Sequence, residues 1–94
     1  MTTTERARHA AQRFARQTRK LGQPDLIRVQ SHGPEGMACL CAVESAIAAL
    51  WPGTPAKELV WLTQTAAPDS LRLQAFAQGE LLHAATYPLG PADA

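Results

Sequence analysis

The residues best suited to chemistry are cations concentrated near the start of the chain. Positions 5–20 hold six arginine or lysine side chains against one acid, Glu5. Cations on one surface favour phosphate backbones, because each contact releases condensed counterions whatever the base sequence. The predicted nucleic-acid or polyanion contacts are Arg6, Arg13, Arg16, Arg19, Lys20 and, from a later strand, Arg72. The alternative is a solvated arginine-rich face, or one that pairs with acidic groups of a neighbouring subunit.

A second group combines aromatic rings with cations on a predicted C-terminal hairpin. Residues 70–77 and 80–87 alternate around a tight turn, whose two-residue loop is Gln78-Gly79 or Gly79-Glu80. This parity predicts one face with Arg72, Gln74, Phe76, Leu81, His83 and Tyr87, and an opposite face with Leu71, Leu73, Ala75, Ala77, Leu82 and Ala84. Rings beside cations are used by single-stranded nucleic-acid sites. Exposed aromatics on an open sheet also mark surfaces covered by a second subunit, so Phe76, Leu81, His83 and Tyr87 are predicted as a stacking or dimer face.

The two cysteines do not favour metal or redox chemistry. On a helix, Cys39 and Cys41 lie about 200° apart around the axis, so they cannot share a metal or form a bridge. A Cys39 nucleophile with His32 or His83 as base lacks an orienting third group. We expect no catalytic residue, no metal and no cofactor, and free cysteines in a reducing cytoplasm.

A strand-to-helix junction is the remaining candidate, at residues 32–36, His-Gly-Pro-Glu-Gly. Backbone N–H groups at the start of a helix can hold a phosphate or a carboxylate. The segment has neither the lysine of a phosphate-binding loop nor the spacing of a dinucleotide fingerprint. An ordinary turn, with Glu35 favourable to the helix dipole, is therefore the better interpretation.

The basic residues require an amphipathic helix to position them, predicted over residues 5–21. Thr4-Glu5 is typical of a helix start, and Gly22 to Pro24 of a stop. Between them an apolar stripe recurs at three- and four-residue steps: Ala7, Ala10, Ala11, Phe14, Ala15, Thr18 and Leu21. The stripe must be covered, and the cations fall on the remaining surface.

Residues 25–88 are expected to form an α/β body, followed by a flexible tail at 89–94. A strand at 26–30 precedes a helix at 35–51 that is apolar on both sides and needs cover on both. Residues 54–60 fit either a helix or a strand, and 59–65 favour a strand. Outside residues 5–20 the chain carries seven acidic residues against three cations, so a basic helix is attached to an acidic body.

Length and composition limit the fold class. The chain has 94 residues and a net charge of +1, and 18 of its apolar residues are alanine, so the core must be thin. We predict one domain, 1–94, of α+β class: a two-layer sandwich in the order α-β-α-β-β-β. Its mostly antiparallel sheet carries both helices on one face, as a ferredoxin-like relative would. A thin core and a half-apolar outer sheet face predict a homodimer or larger assembly. No stretch is long and apolar enough to span a membrane.

Two functions fit these features. The first is a small non-catalytic binding protein whose basic N-terminal helix engages nucleic acid or another polyanion. The alternative is a homo-oligomeric protein-interaction or small-ligand regulatory module with no nucleic-acid role.

Overall fold

In the part of the chain that the structure describes, two helices and four strands follow one another in the predicted order. The computed structural model describes residues 2–51, 56–62 and 68–89. Its elements are α1 (Thr3–Arg19), β1 (Leu26–His32), α2 (Gly36–Leu50), β2 (Ala56–Leu62), β3 (Ser70–Ala77) and β4 (Glu80–Pro88). The α+β class is therefore confirmed, and residues 56–60 are strand rather than helix. Residues 54, 55 and 63–65 lie outside the described part of the chain.

The four strands form one mixed sheet in the order β2-β1-β3-β4. β1 pairs with β2 in parallel and with β3 antiparallel, and β3 pairs with β4 antiparallel. A parallel pair needs a crossover connection, which α2 supplies between β1 and β2. The chain does not follow the β-α-β-β-α-β order of the ferredoxin-like fold, so the likeness extends only to the two-layer arrangement.

A capping box fixes the start of α1. The Thr2 hydroxyl accepts a hydrogen bond from the Glu5 N–H at 3.2 Å, and the Glu5 carboxylate accepts one from the Thr2 N–H. This is the Ser/Thr-x-x-Glu pattern that satisfies two otherwise unpaired donors. The helix therefore begins before the predicted start at Thr4, and it ends at Arg19. Leu21, predicted in the apolar stripe, lies beyond that end and is 56% exposed.

Both helices cover the same face of the sheet. The stripe of α1 is buried from Ala7 to Thr18 with Phe14 at its centre, and α1 packs along α2. Beneath the helices lie the alternate residues of the two central strands: Ile27 and Val29 of β1, and Leu71, Leu73 and Ala75 of β3. Within the described residues, no helix is long and apolar enough to cross a membrane.

A β-bulge in the hairpin changes which residues face the helices. The turn is Gln78-Gly79, with both φ values positive at 53° and 82°, as a two-residue type I′ turn requires. Phe76 pairs with Leu81, but Ala75 then pairs with His83, so the residue between them has no partner on β3. That extra residue reverses the side-chain parity of the rest of β4.

The predicted common face of Phe76, Leu81, His83 and Tyr87 is therefore wrong. Phe76 and Leu81 lie on the uncovered face, as predicted. His83 and Tyr87 are paired with Ala75 and Leu71, so they lie on the helix-covered face. Ala84 moves to the uncovered face opposite Gln74, while Leu82 still packs against the core.

The end of β4 is packed rather than frayed. Leu89, which falls in the predicted tail, is 1% exposed. Its N–H donates to the Asp69 carbonyl at 2.8 Å. Residues 90–94 lie outside the described part of the chain.

Candidate anion-binding ridge and cleft

Seven-residue spacing aligns most of the basic residues along one exposed strip of α1. Steps of seven residues return to nearly the same side of an α-helix, as do steps of three or four. We call this strip the basic ridge; its members are Arg6, His9, Arg13, Arg16 and Lys20. From Arg6 to Lys20 it extends about 21 Å at 1.5 Å per residue.

The ridge is turned to solvent because the opposite side of α1 is buried. Arg16 and Lys20 are exposed, and neither side chain makes a hydrogen bond or ion pair with any described residue. The buried stripe contains only alanines, Phe14 and Thr18, whose hydroxyl donates to the Phe14 carbonyl at 2.8 Å. Packing of small side chains on one side thus fixes the direction of the cations on the other.

A cleft opens where the first half of α1 meets the end of β4. Its volume is about 330 Å³, and Arg6, His9 and Arg13 line it together with Tyr87, Ala10 and Leu89. The guanidinium carbon of Arg13 lies 5.8 Å from the centroid of the Tyr87 ring. The cleft therefore combines cations, one aromatic ring and an apolar surface.

Tyr87 presents its ring to this cleft rather than its hydroxyl. The hydroxyl oxygen is buried and has no hydrogen-bond partner among the described residues. Burial raises the pKa of the Tyr87 phenol, and nearby Arg13 offsets part of that rise. The phenol therefore stays neutral at physiological pH, and Tyr87 lines the cleft with atoms other than its hydroxyl oxygen.

Arg19 lies apart from the ridge, although the sequence groups the two. Its side chain donates to the Leu50 carbonyl at the end of α2, and its guanidinium lies 5.8 Å from the Trp51 ring. A cation at this position donates to a carbonyl that has no partner within α2, and it interacts favourably with the negative end of the helix dipole. Arg8, eleven residues before Arg19, shares this α2 side of α1.

Arg72 is also separated from the ridge, by the full thickness of the sheet. It alternates with Leu71 and Leu73, which face the helices, and it is exposed on the other face. The predicted set of six cations therefore does not form one surface. Arg6, Arg13, Arg16 and Lys20 come together, while Arg19 and Arg72 do not join them.

His83 forms part of the packing between α1 and β4. Its ring stacks on Phe14 with centroids 5.1 Å apart and an interplanar angle of 22°. Its Nε2 lies 3.1 Å from Gln17 Oε1. The bulge before His83 makes this contact possible, because it turns the ring towards the helices.

On the uncovered face, Phe76 lies beside a cation and Leu81 is exposed. The guanidinium of Arg28 is 5.3 Å from the Phe76 ring centroid, and its Nε is 2.9 Å from Glu58 Oε2. Leu81 is 53% exposed. With His83 and Tyr87 on the other face, only half of the predicted stacking or dimer group remains here.

The start of α2 is occupied by a carboxylate from the same chain. Asp69 Oδ1 accepts from the Glu35 N–H at 3.0 Å, and Asp69 is only 8% exposed. Gly33 permits this approach, since its φ is +114° and an added Cβ would lie 2.7 Å from Asp69 Cα. The junction is thus a turn whose helix N–H already has an anionic partner.

The cysteines differ in exposure and neither forms a bridge. Cys39 is buried and Cys41 is exposed, and both are free. Burial, together with the charges of Asp69 and Glu35, raises the pKa of the Cys39 thiol to about 11, so this thiol is a poor nucleophile. In the described residues, no three His, Cys, Asp or Glu side chains come together as metal ligands would.

Among the residues that line the cleft, His9 and Leu89 were not predicted from the sequence. His9 lies three residues after Arg6 and four before Arg13, so helical spacing alone could have placed it with them. Leu89 carried no local signal, because its burial depends on the contact between the end of β4 and Asp69.

Comparison with known proteins supplies no family. No protein-family model matches this chain, and no curated protein matches it.

Proposed function

We propose that this chain is a small non-catalytic binding protein that engages nucleic acid through the basic ridge of α1. The observation that carries the proposal is the alignment of Arg16 and Lys20, exposed and unpaired with described residues, with Arg6 and Arg13. A phosphate backbone offers a matching row of anions, one per 3.4 Å along each duplex strand.

The acidic body supports this proposal because several of its carboxylates are engaged elsewhere. Glu58 pairs with Arg28, and Glu44 lies 3.9 Å from Lys57. Asp69 holds the start of α2, as described above. These acids therefore have partners away from α1, which leaves Arg16 and Lys20 available to an external polyanion.

The number of phosphate contacts can be measured from the salt dependence of the affinity. Four phosphate contacts on a single strand predict a slope of about −3 in log affinity against log salt. Affinity for a fluorescently labelled oligonucleotide should then fall about 50-fold between roughly 50 and 200 mM salt. Arg16→Ala/Lys20→Ala should halve the slope, because two of the four contacts are lost.

A charge-matched variant separates the ridge from net charge. Arg8→Ala/Lys57→Ala also removes two cations, from the α2 side of α1 and from β2, and the Lys57 pair at 3.9 Å is weak. This control should keep the wild-type slope. Absence of binding at low salt, or equal losses in both double variants, would refute the ridge as the binding surface.

The alternative is a homo-oligomeric interaction or small-ligand regulatory module without a nucleic-acid role. It is favoured by β4, which pairs only with β3 among the described strands, and by the exposed Leu81. A dimer mass by light scattering, together with no oligonucleotide binding, would select it. For either function we propose the cytoplasm, because both cysteines are free.

A further inference from the structure

We infer that the cleft between α1 and the end of β4 holds one unstacked nucleotide, so that the preferred ligand of this protein is single-stranded nucleic acid. This inference rests on the proposed function, because the strand reaches the cleft along the basic ridge. It adds a specificity that a row of cations cannot provide.

The composition of the cleft fits the two halves of a nucleotide. His9 and Arg13 line it and Arg6 adds a further positive charge, which suits a phosphate. The Tyr87 ring, Ala10 and Leu89 supply an aromatic and apolar wall, which suits a base. The volume of about 330 Å³ lies at the lower end of the range for small-molecule sites, so one such group is the appropriate size.

The position of Arg13 connects the two halves. Its guanidinium lies over the Tyr87 ring, 5.8 Å from the centroid, in reach of a phosphate on the ridge. A guanidinium plane can also stack on a base. A base entering the cleft therefore meets Tyr87 and Arg13 together, while its phosphate remains beside the cations.

Such a site distinguishes single strands from duplexes. Bases in a duplex are stacked and paired, so none can enter the cleft without being flipped out. A row of cations alone would favour the duplex, because its charge density is higher. The ratio of single-strand to duplex affinity thus reports base binding in the cleft, and the salt dependence of affinity reports phosphate contacts on the ridge.

The experiment compares three labelled oligonucleotides of equal length at fixed low salt: a single strand, its duplex and an abasic single strand. Wild-type protein should bind the single strand tightest. Tyr87→Leu should lose about 5- to 150-fold for the single strand, the range for removal of one stacked base. The same variant should change little for the abasic strand, which has no base to stack.

Phe76→Leu is the matched control, since it also replaces an aromatic ring by leucine, but on the uncovered face of the sheet, away from the cleft. It should bind like wild type, and thermal unfolding of both variants checks that α1 stays packed. Equal or tighter duplex binding, or no effect of Tyr87→Leu on the single strand, would overturn the cleft while leaving the ridge intact. If wild type binds a free nucleoside monophosphate, and Tyr87→Leu leaves the ratio of single-strand to duplex affinity unchanged, the cleft is a small-ligand site rather than a strand-binding site. If wild-type protein binds none of the three oligonucleotides at low salt, the proposed function itself is overturned.

Discussion

Removal of the Asp69 carboxylate should destabilise the protein through the start of α2. Asp69 is 8% exposed, and its Oδ1 accepts from the Glu35 N–H at 3.0 Å. Asp69→Ala leaves that N–H without its acceptor and removes an anion from the positive end of α2. Asp69→Asn keeps an oxygen in the same place but loses the charge.

The magnitude follows from the type of bond. A hydrogen bond to a charged group contributes about 1.5–3 kcal/mol, and part of this is the favourable interaction with the helix dipole. The Glu35 residue is exposed, so water can satisfy its N–H once the carboxylate is gone. We therefore expect Asp69→Ala to lower the free energy of unfolding by about 2 kcal/mol and Asp69→Asn by about 1 kcal/mol.

Urea unfolding followed by circular dichroism measures these differences. For a chain of this size, 1 kcal/mol corresponds to about 4–8 °C in Tm, so the Asp69→Ala shift should be about 8–16 °C. Glu80→Ala removes an exposed carboxylate from the start of β4 and should stay within about 0.5 kcal/mol of wild type. Equal stability of Asp69→Ala and Glu80→Ala would contradict a role for the Asp69 carboxylate at the start of α2, and so would an Asp69→Asn variant less stable than Asp69→Ala.

Further predictions concern the cysteines and the hairpin turn. In the native protein an aromatic disulfide reagent should modify Cys41 alone, and both thiols only after unfolding, because Cys39 is buried. Folding raises the pKa of the Cys39 thiol from 9.0 to about 11. As the pH is raised, the unfolded chain therefore loses the Cys39 proton before the folded protein does. The free energy of unfolding should therefore fall between pH 9.0 and about 11, and Cys39→Ala should flatten that fall; a rise would contradict it. Gln78 has φ 53°, which asparagine tolerates better, so Gln78→Asn should stabilise by up to about 1 kcal/mol. Gly79→Ala, at φ 82°, should destabilise by a similar amount, and thermal unfolding that shows the opposite order would refute the type I′ assignment.

Much of the fold was predictable because its signals are local. The three- and four-residue steps from Ala7 to Thr18 define the buried side of α1, and six of the seven predicted residues are buried. The hairpin turn was located to within one residue for the same reason, because Gly79 accepts a positive φ without steric cost. Local pattern did not settle residues 56–60, because their strand conformation comes from parallel pairing with β1.

The candidate site was predicted in part. The spacing that aligns Arg6, Arg13 and Lys20 is visible in the sequence, because helical periodicity repeats every seven residues. The contact of the Arg19 side chain with α2 was not predictable, since its partner, the Leu50 carbonyl, lies 31 positions later in the chain. Nor was the cleft, which forms only where the end of β4 reaches α1.

The amino-acid sequence by itself determined the helices, the hairpin and the separation of a basic helix from an acidic body. These follow from side-chain periodicity, turn chemistry and charge, which act over a few residues. Tertiary structure alone decided which side of β4 faces the helices. One unpaired residue between Leu81 and His83 reverses that choice, and no nearby pattern encodes it. Packing of His83 on Phe14 and of Tyr87 beside Arg13 is consistent only with the bulged register, so contacts between distant segments placed the aromatic ring in the cleft.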